Sequence, residues 1–337
     1  MTWSVISSLF STTAFPPLLA AATEAEAAPL ILAGVLLSLV IIYLSSKIGS
    51  EICARLDLPP VLGELVAGVV IGVSVLRLLT FPEGVDGDSA SLVMQLLDLS
   101  SSISPETLST VFSVQSQVIL VLAEMGVVIL LFEIGLESDL KELLRVGPQA
   151  TVVAVVGVLA PFTLGTAGLM LLFGIAAVPA IFAGAALTAT SIGITAKVLA
   201  EMQRLTSREG QIIIGAAVLD DVLGIIVLAV VASLARTGEV QISNVVYLAI
   251  SSAVFLIGVI WLGRLLSPYF VTLVNRLKTR GQLLLSALIV AFTLSYIAQV
   301  IQLEAILGAF AAGLILAETD QRRQLEDQVI PVADMLV

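Results

Sequence analysis

Asp220 and Asp221 are adjacent carboxylates inside an apolar run, from Ile212 to Leu234, that is long enough to cross a bilayer. An acidic residue at mid-membrane depth costs ~2.5–3.5 kcal/mol on insertion scales, so we expect two of them to be functional. Burial favours the neutral form of each carboxyl, and the charge of its neighbour acts in the same direction, so the two should titrate as a coupled pair. A carboxyl that trades a proton for a cation at one site is sufficient for antiport.

A second polar stretch interrupts the preceding apolar segment, in the sequence Ala-Leu-Thr-Ala-Thr-Ser-Ile-Gly-Ile-Thr (186–195). Thr188, Thr190 and Ser191 lie near Gly193, and β-branched residues and glycine weaken a helix. We therefore predict a broken helix at 188–195. Its freed carbonyls and hydroxyls could replace the hydration shell of a hard cation. Alternatively, the hydroxyls bond back to their own helix and are structural.

Two further charged residues are weaker candidates. Glu133 lies a few residues before the cytoplasmic end of its apolar run, where it could pair with Lys197 or Lys141, line an inner funnel or be solvated. Lys197 could belong to the same funnel, or it could place its ammonium at the membrane interface.

The composition is that of a membrane protein. Of the 337 residues, 58% are hydrophobic and 12% are charged, whereas soluble domains have about 25% charged residues. The apolar runs are continuous rather than alternating, which predicts an all-α polytopic protein and excludes a β-barrel. The chain has no histidine and one cysteine, Cys53, which excludes an imidazole relay and an intramolecular disulfide. We predict no cofactor, with Na⁺, H⁺ and K⁺ considered only as transported ions, and a net charge of −11 gives no reason to expect nucleic acid.

The chain divides into an N-terminal segment, 1–27, and a transmembrane domain, 28–337. The segment 1–27 has no Lys or Arg and is interrupted by Pro16-Pro17. We predict that it is a loose or interfacial segment outside the membrane, with a cleaved signal or an extra helix as alternatives. The domain contains nine candidate spans, at 29–46, 58–76, 115–136, 149–173, 178–197, 210–234, 243–263, 281–301 and 303–318.

Basic residues alternate between the loops. Alternate loops contain 13 of the 15 Lys and Arg residues, and the remaining loops contain only Arg77 and Arg236. The positive-inside rule therefore predicts an external N-terminus and a cytoplasmic residue 337. The basic, partly apolar segment 264–280 is expected to be an amphipathic helix on the cytoplasmic surface or an ordinary linker.

A motif occurs twice in opposite predicted orientations. Val61-Leu-Gly-Glu-Leu-Val-Ala-Gly68 resembles Ile306-Leu-Gly-Ala-Phe-Ala-Ala-Gly313, and the loop charges direct the first outward and the second inward. This arrangement is typical of inverted-repeat transporters. The first repeat would cover about 57–235, linker helices 243–301, and the start of a second repeat about 303–337. We expect the second repeat to be incomplete in this chain.

Five motifs together resemble the monovalent cation:proton antiporter-2 family. They are PPVLGELVAGVVIG (59–72), AEMGVVILLFEIGLESDLKEL (123–143), GAALTATSIGITAKVLAE (184–201), GAAVLDDVLG (215–224) and LGAFAAGLILAE (307–318). The resemblance implies a sodium/proton antiporter fold of thirteen spans with discontinuous helices and two inverted five-helix repeats. It also implies a homodimer and an elevator-type movement.

The resemblance assigns roles to the acids. It implies that Asp221 is the main ion carrier and Asp220 its partner, and that the double acid accompanies electrogenic exchange, commonly of Na⁺. Thr188, Thr190 and Ser191 would support ion coordination in one of two crossing broken helices. Glu133 stands where many members of the family have an apolar residue.

The leading functional prediction is a Na⁺/H⁺ antiporter that contributes to pH and sodium homeostasis, not an enzyme. It would lie in a bacterial plasma membrane, with a thylakoid membrane as the alternative. A K⁺/H⁺ antiporter, a regulated K⁺ efflux system and a cation channel are rivals. An intramembrane aspartic protease is disfavoured, because neighbouring acids on one helix do not face each other across a substrate.

Overall fold

The protein is all-helical throughout the residues described by the computed structural model, which are 15–72, 75–79, 91–100, 105–237, 242–276 and 281–336. No strand occurs in these ranges, which confirms a polytopic helical architecture. The helices in chain order are α1 (Phe15–Arg55), α2 (Pro60–Ile71), α3 (Leu92–Ser100), α4 (Pro105–Glu137), α5 (Leu140–Arg145), α6 (Gly147–Phe173), α7 (Ala177–Ala186), α8 (Ile192–Glu201), α9 (Arg208–Thr237), α10 (Ile242–Arg276), α11 (Gln282–Val300), α12 (Ala305–Ala317) and α13 (Arg322–Leu336).

Six of these helices contain segments long and apolar enough to cross a membrane. Three shorter helices are also apolar. Each of the nine overlaps one of the nine predicted spans. The six segments are Ala28–Arg55, Thr107–Glu137, Gly147–Phe173, Arg208–Val231, Ile242–Trp261 and Gln282–Val300, and the shorter helices are α2, α7 and α12.

Three predicted boundaries differ from the structure. Residues 15–27, expected to be loose or interfacial, are helical and continue into the first span. The helix expected at 264–280 is present in its described part, but as the end of α10, which runs unbroken to Arg276 and buries Val274. The stretch between the predicted spans 58–76 and 115–136 contains α3 and the start of α4. Residues 1–14, 80–90 and 277–280 lie outside the described ranges.

The helices form two compact units, residues 1–122 and 123–337, and α4 begins in the first and ends in the second. In the first unit α1 and α2 cross at two glycines. A Cβ atom added to Gly63 would lie 2.0 Å from the carbonyl oxygen of Gly49. Beside this crossing, Ser50 Oγ donates a hydrogen bond of 2.9 Å to Glu64 Oε1. Small residues therefore allow the two backbones to touch.

The second unit is built around α12. Nine of its thirteen residues are buried, from Leu307 to Leu316. A Cβ atom added to Gly308 would lie 2.3 Å from the carbonyl oxygen of Leu294 on the preceding helix, α11. Gly63 and Gly308 occupy the same place in the repeated motif, and each lies where its helix crosses the helix before it. The motif thus has the same local packing role in both copies.

The last helix, α13, runs alongside the second half of α4. At one end Arg322 Nη2 donates to the carbonyl oxygen of Glu137 at 2.8 Å, while its Nε donates to Glu326 Oε1 at 2.6 Å. At the other end a Cβ atom on Gly126 would lie 2.4 Å from the carbonyl oxygen of Leu336. One face of α13 is buried, at Leu325, Val329 and Ala333.

Candidate ion-binding site

The predicted broken helix is present, but its break begins and ends earlier than expected. Helix α7 ends at Ala186 and α8 begins at Ile192, so the non-helical backbone is 187–191, and Gly193 lies inside α8. Thr188 Oγ1 donates to the carbonyl oxygen of Ala185 at 2.8 Å, which stabilises the end of α7. Ser191 is the N-cap of α8 and accepts from the backbone N–H of Ile194 at 3.4 Å. Two of the three predicted hydroxyl residues thus stabilise the two helix ends.

The backbone of the break has free acceptors. Among the described residues, no backbone amide donates to the carbonyl oxygens of Thr188, Ala189 or Thr190. Carbonyl oxygens are good ligands for hard cations such as Na⁺. The break thus supplies oxygen atoms in the way that the sequence predicted, mainly from the main chain.

Helix α9 carries the two aspartates and is fixed on two sides. On one side Ala216 is buried against Ala150 and Ala154 of α6. On the other side Ala217 belongs to the large core cluster of the second unit. Asp220 lies one helical turn after Ala216, and Asp221 one turn after Ala217, so the acids project in different directions.

Asp220 meets the break directly. Its side chain is buried, with 8% of the residue exposed. Thr190 Oγ1 donates a hydrogen bond to Asp220 Oδ2. This contact joins two elements thirty residues apart in the chain and brings together two residues that the sequence analysis singled out separately.

Asp221 has different surroundings. It is partly buried, and its Oδ2 atom is enclosed with no hydrogen-bond partner among the described residues. Two charged residues act on its carboxyl through their electric fields, Glu304 and Asp220. An enclosed carboxylate oxygen with no donor is a natural place for a proton or a cation.

Glu133 and Lys197 both lie in the second unit, on α4 and α8. Glu133 is partly buried on α4, and the charges that act on it belong to Glu137, Asp334 of α13 and Lys197 of α8. Lys197 is partly buried as well. Glu133 lies one helical turn before the end of α4, and its pairing with Lys197 stays a prediction.

The sequence analysis missed Glu304. It immediately precedes α12 and follows the last long apolar helix, so it looked like an ordinary residue of an external loop. The available signal was its position two residues before the repeated motif, at which the first copy has Pro59. Only the packing of α12 against the rest of the unit relates Glu304 to Asp221.

Helices of spanning length, together with an interrupted apolar helix beside one buried and one partly buried acid, define a polytopic membrane transporter. The comparisons with known proteins identify the kind of transporter. The model of the family described as sodium/hydrogen exchanger, transmembrane, matches residues 34–337. The chain belongs to this family, and it is a transmembrane ion-transport protein of the antiporter type.

Curated relatives agree with this assignment. The chain is 69% identical over 323 residues to the high-affinity Na⁺/H⁺ antiporter NhaS3 of Synechocystis, covering 95% of this chain and 70% of NhaS3. It is 32% identical to GerT of Bacillus cereus, named a probable Na⁺/H⁺ antiporter, covering 88% of this chain and 68% of GerT. It is 30% identical to the Na⁺/H⁺-K⁺ antiporter GerN of the same organism, covering 87% of this chain and 66% of GerN.

Proposed function

We propose that this protein exchanges Na⁺ for H⁺ by competition of the two ions at Asp221, with Asp220 and the break between α7 and α8 as the other parts of the site. The observation that carries the proposal is the contact between Thr190 and Asp220. This contact joins the helix that carries the two aspartates to the interrupted helix. Each of these features independently predicted an ion site.

The two aspartates have different proposed tasks. The Thr190 hydroxyl donates a hydrogen bond to the Asp220 carboxylate and fixes the orientation of that side chain. Asp221 Oδ2 has no such donor, so its charge is left to be balanced by a proton or a cation. The carbonyl oxygens at 188–190 would complete the coordination of a bound Na⁺. Because one carboxyl serves both ions, binding of either requires release of the other.

Finer features of the transport cycle are part of the same proposal. We place the chain in the monovalent cation:proton antiporter-2 subgroup, with inverted repeats, a homodimer and an elevator-type alternation. The matched crossings at Gly63 and Gly308 support the repeat. The loop charges support an external N-terminus. Glu133 and Lys197 would lie at the cytoplasmic approach to the site.

We propose Na⁺ as the main cation. NhaS3, which is 69% identical over 95% of this chain, is named a high-affinity Na⁺/H⁺ antiporter. K⁺ is a second candidate, because GerN is named a Na⁺/H⁺-K⁺ antiporter. The exchange would serve sodium and pH homeostasis in a bacterial plasma membrane or a thylakoid membrane.

The decisive experiment replaces the proposed carrier. In membrane vesicles, Asp221→Asn should abolish the proton movement that addition of Na⁺ produces, because an amide can exchange neither ion. Proton flux is followed with a pH-sensitive dye after Na⁺ or K⁺ is added, and the same assay ranks the two cations.

A matched substitution controls for charge removal in the same helix. Glu209→Gln removes an exposed carboxylate from the first turn of α9, so transport should be unchanged. Full activity of a correctly folded Asp221→Asn protein would refute the assignment of the carrier.

A further inference from the structure

Gln211 is a buried glutamine in the first turn of α9, and only 1% of the residue is exposed. Its Nε2 atom donates a hydrogen bond of 2.9 Å to the backbone carbonyl oxygen of Leu205, in the turn between α8 and α9. Its Oε1 atom is enclosed and has no hydrogen-bond partner among the described residues. An apolar side chain of similar size would fill the same space without an unsatisfied acceptor. Packing alone therefore does not account for a glutamine at this position.

The turn that Gln211 contacts is bonded to the helices on both of its sides. On the α8 side, the backbone N–H of Arg204 donates to the carbonyl oxygen of Leu199 at 2.8 Å. On the α9 side, Ser207 Oγ accepts from the backbone N–H of Gly210 at 3.0 Å, as an N-cap residue does. A Cβ atom added to Gly210 would clash with the carbonyl oxygen of Arg204, so the turn lies directly against the start of α9. These contacts fix the offset between α8 and α9 along their length.

The turn and the ion site lie at the two ends of one helical hairpin. Helix α8 runs for ten residues from the break to the turn, and it packs against α9. At one end of the hairpin Gln211 donates to Leu205, and at the other end Thr190 donates to Asp220. Asp220 follows Gln211 on the same unbroken helix, about 14 Å further along at a rise of 1.5 Å per residue. A slip of α9 against α8 at the turn would therefore move Asp220 relative to Thr190.

We propose that Gln211 is a positioning residue for the ion site. By tying the turn to the first helical turn of α9, it fixes the offset of the two helices and holds Asp220 within reach of the Thr190 hydroxyl. This rests on the proposed function of the two aspartates, and Gln211 itself touches no ion. Loss of its donor would weaken Na⁺ binding through the contact between Thr190 and Asp220. The alternative is that Gln211 stabilises the fold and nothing else.

The experiment is a double-mutant cycle on the Na⁺ dependence of proton flux by the full chain in vesicles. Gln211→Met removes the donor and keeps the length of the side chain. We expect it to raise the KM for Na⁺ about three- to tenfold, with kcat within about twofold of the original protein. In a Thr190→Val background the same substitution should change KM by less than about twofold, because the contact through which it acts is already lost.

A second buried glutamine provides the matched control. Gln115 is 6% exposed, its Nε2 donates to Ser38 Oγ at 2.7 Å, and its Oε1 is enclosed with no partner in the described part of the chain. It lies in the first unit, whereas the ion site lies in the second. Gln115→Met should therefore lower the melting temperature about as much as Gln211→Met does and leave KM unchanged.

Ser207→Ala tests the same turn at a partly exposed position, where the substitution is milder. It removes the acceptor for the Gly210 N–H and should raise KM about threefold, again only when Thr190 is present. This variant decides the question if Gln211→Met does not fold.

Three results would overturn the proposal. They are an unchanged KM in the folded variant of the turn, a rise of KM that is equally large in the Thr190→Val background, and an equal rise in Gln115→Met. Failure of the proposed function is a separate outcome, because then the unsubstituted protein shows no Na⁺-dependent proton movement or Asp221→Asn retains it.

Discussion

Asp220 and Asp221 are neighbours in the sequence, yet their environments differ. Asp220 accepts a hydrogen bond from the Thr190 hydroxyl, whereas no donor in the described part of the chain reaches the Oδ2 atom of Asp221. The reason is the rotation of about 100° between adjacent residues of an α-helix, which directs one acid to the break and the other to the core cluster. A double acid can thus combine one fixed carboxylate with one exchangeable carboxyl.

Removal of the Thr190 hydroxyl should weaken cation binding. A hydrogen bond to a charged group contributes about 1.5–3 kcal/mol, so Thr190→Val should raise the KM for Na⁺ roughly ten- to a hundredfold, because Asp220 loses its donor and its orientation. The measurement is the Na⁺ dependence of proton flux in vesicles.

Two substitutions control for the change in side-chain shape at Thr190. Thr190→Ser keeps the hydroxyl and should stay near the original KM. Thr163→Val removes a hydroxyl that bonds to Leu159 of its own helix, at 2.7 Å, and should have no effect. Equal KM values for Thr190→Val and Thr190→Ser would show that the hydrogen bond does not contribute.

At the scale of elements, each of the two compact units has a crossing at which helix backbones approach closely. Apolar side chains do not drive helices together in lipid, so tight contact at small residues has to stabilise the crossings. The crossing of α1 with α2 and that of α11 with α12 both have a motif glycine at the contact, Gly63 and Gly308. The repeated motif therefore provides the small residue at which each pair of helices packs closely.

Gly63→Ala should destabilise the protein. The added Cβ would lie 2.0 Å from the carbonyl oxygen of Gly49, so α1 and α2 must separate, and overpacking of this kind costs about 1–3 kcal/mol. We expect a lower melting temperature of the purified protein in detergent.

Gly68 belongs to the same helix and the same motif, and it provides the control. An added Cβ there has no atom within 4 Å, so Gly68→Ala should leave the melting temperature unchanged. An equal effect of both substitutions would mean that helix propensity, rather than contact with α1, decides stability.

For the whole molecule, the proposed double-acid site predicts electrogenic exchange. If more protons than Na⁺ ions cross in each cycle, each net charge is worth ~2.3 kcal/mol per 100 mV. An imposed membrane potential should therefore change the rate of Na⁺/H⁺ exchange in liposomes. It is measured with a K⁺ diffusion potential at constant Na⁺ and pH, and a rate that does not respond indicates electroneutral exchange.

Much of the fold follows from the sequence because its causes are local. All nine predicted spans overlap an apolar helix, since length and hydropathy decide whether a segment can cross a membrane. The break near Thr190 was predicted from residues that weaken helices, although it ends before Gly193. The sequence predicted helix after the span at 243–263 but not that the two form one unbroken α10, because a helix can extend beyond the bilayer without a change in its local sequence pattern.

By itself, the sequence determined that this is a polytopic helical protein with two costly acids beside a weakened helix. Only the tertiary structure decided that Thr190 donates to Asp220 and that Thr188 and Ser191 stabilise helix ends. The contact between Thr190 and Asp220 joins residues thirty positions apart. Such contacts depend on how packed helices are rotated and where they cross. Hydropathy and local helix propensity do not determine either property, so the chemistry of single residues could be predicted but their partners could not.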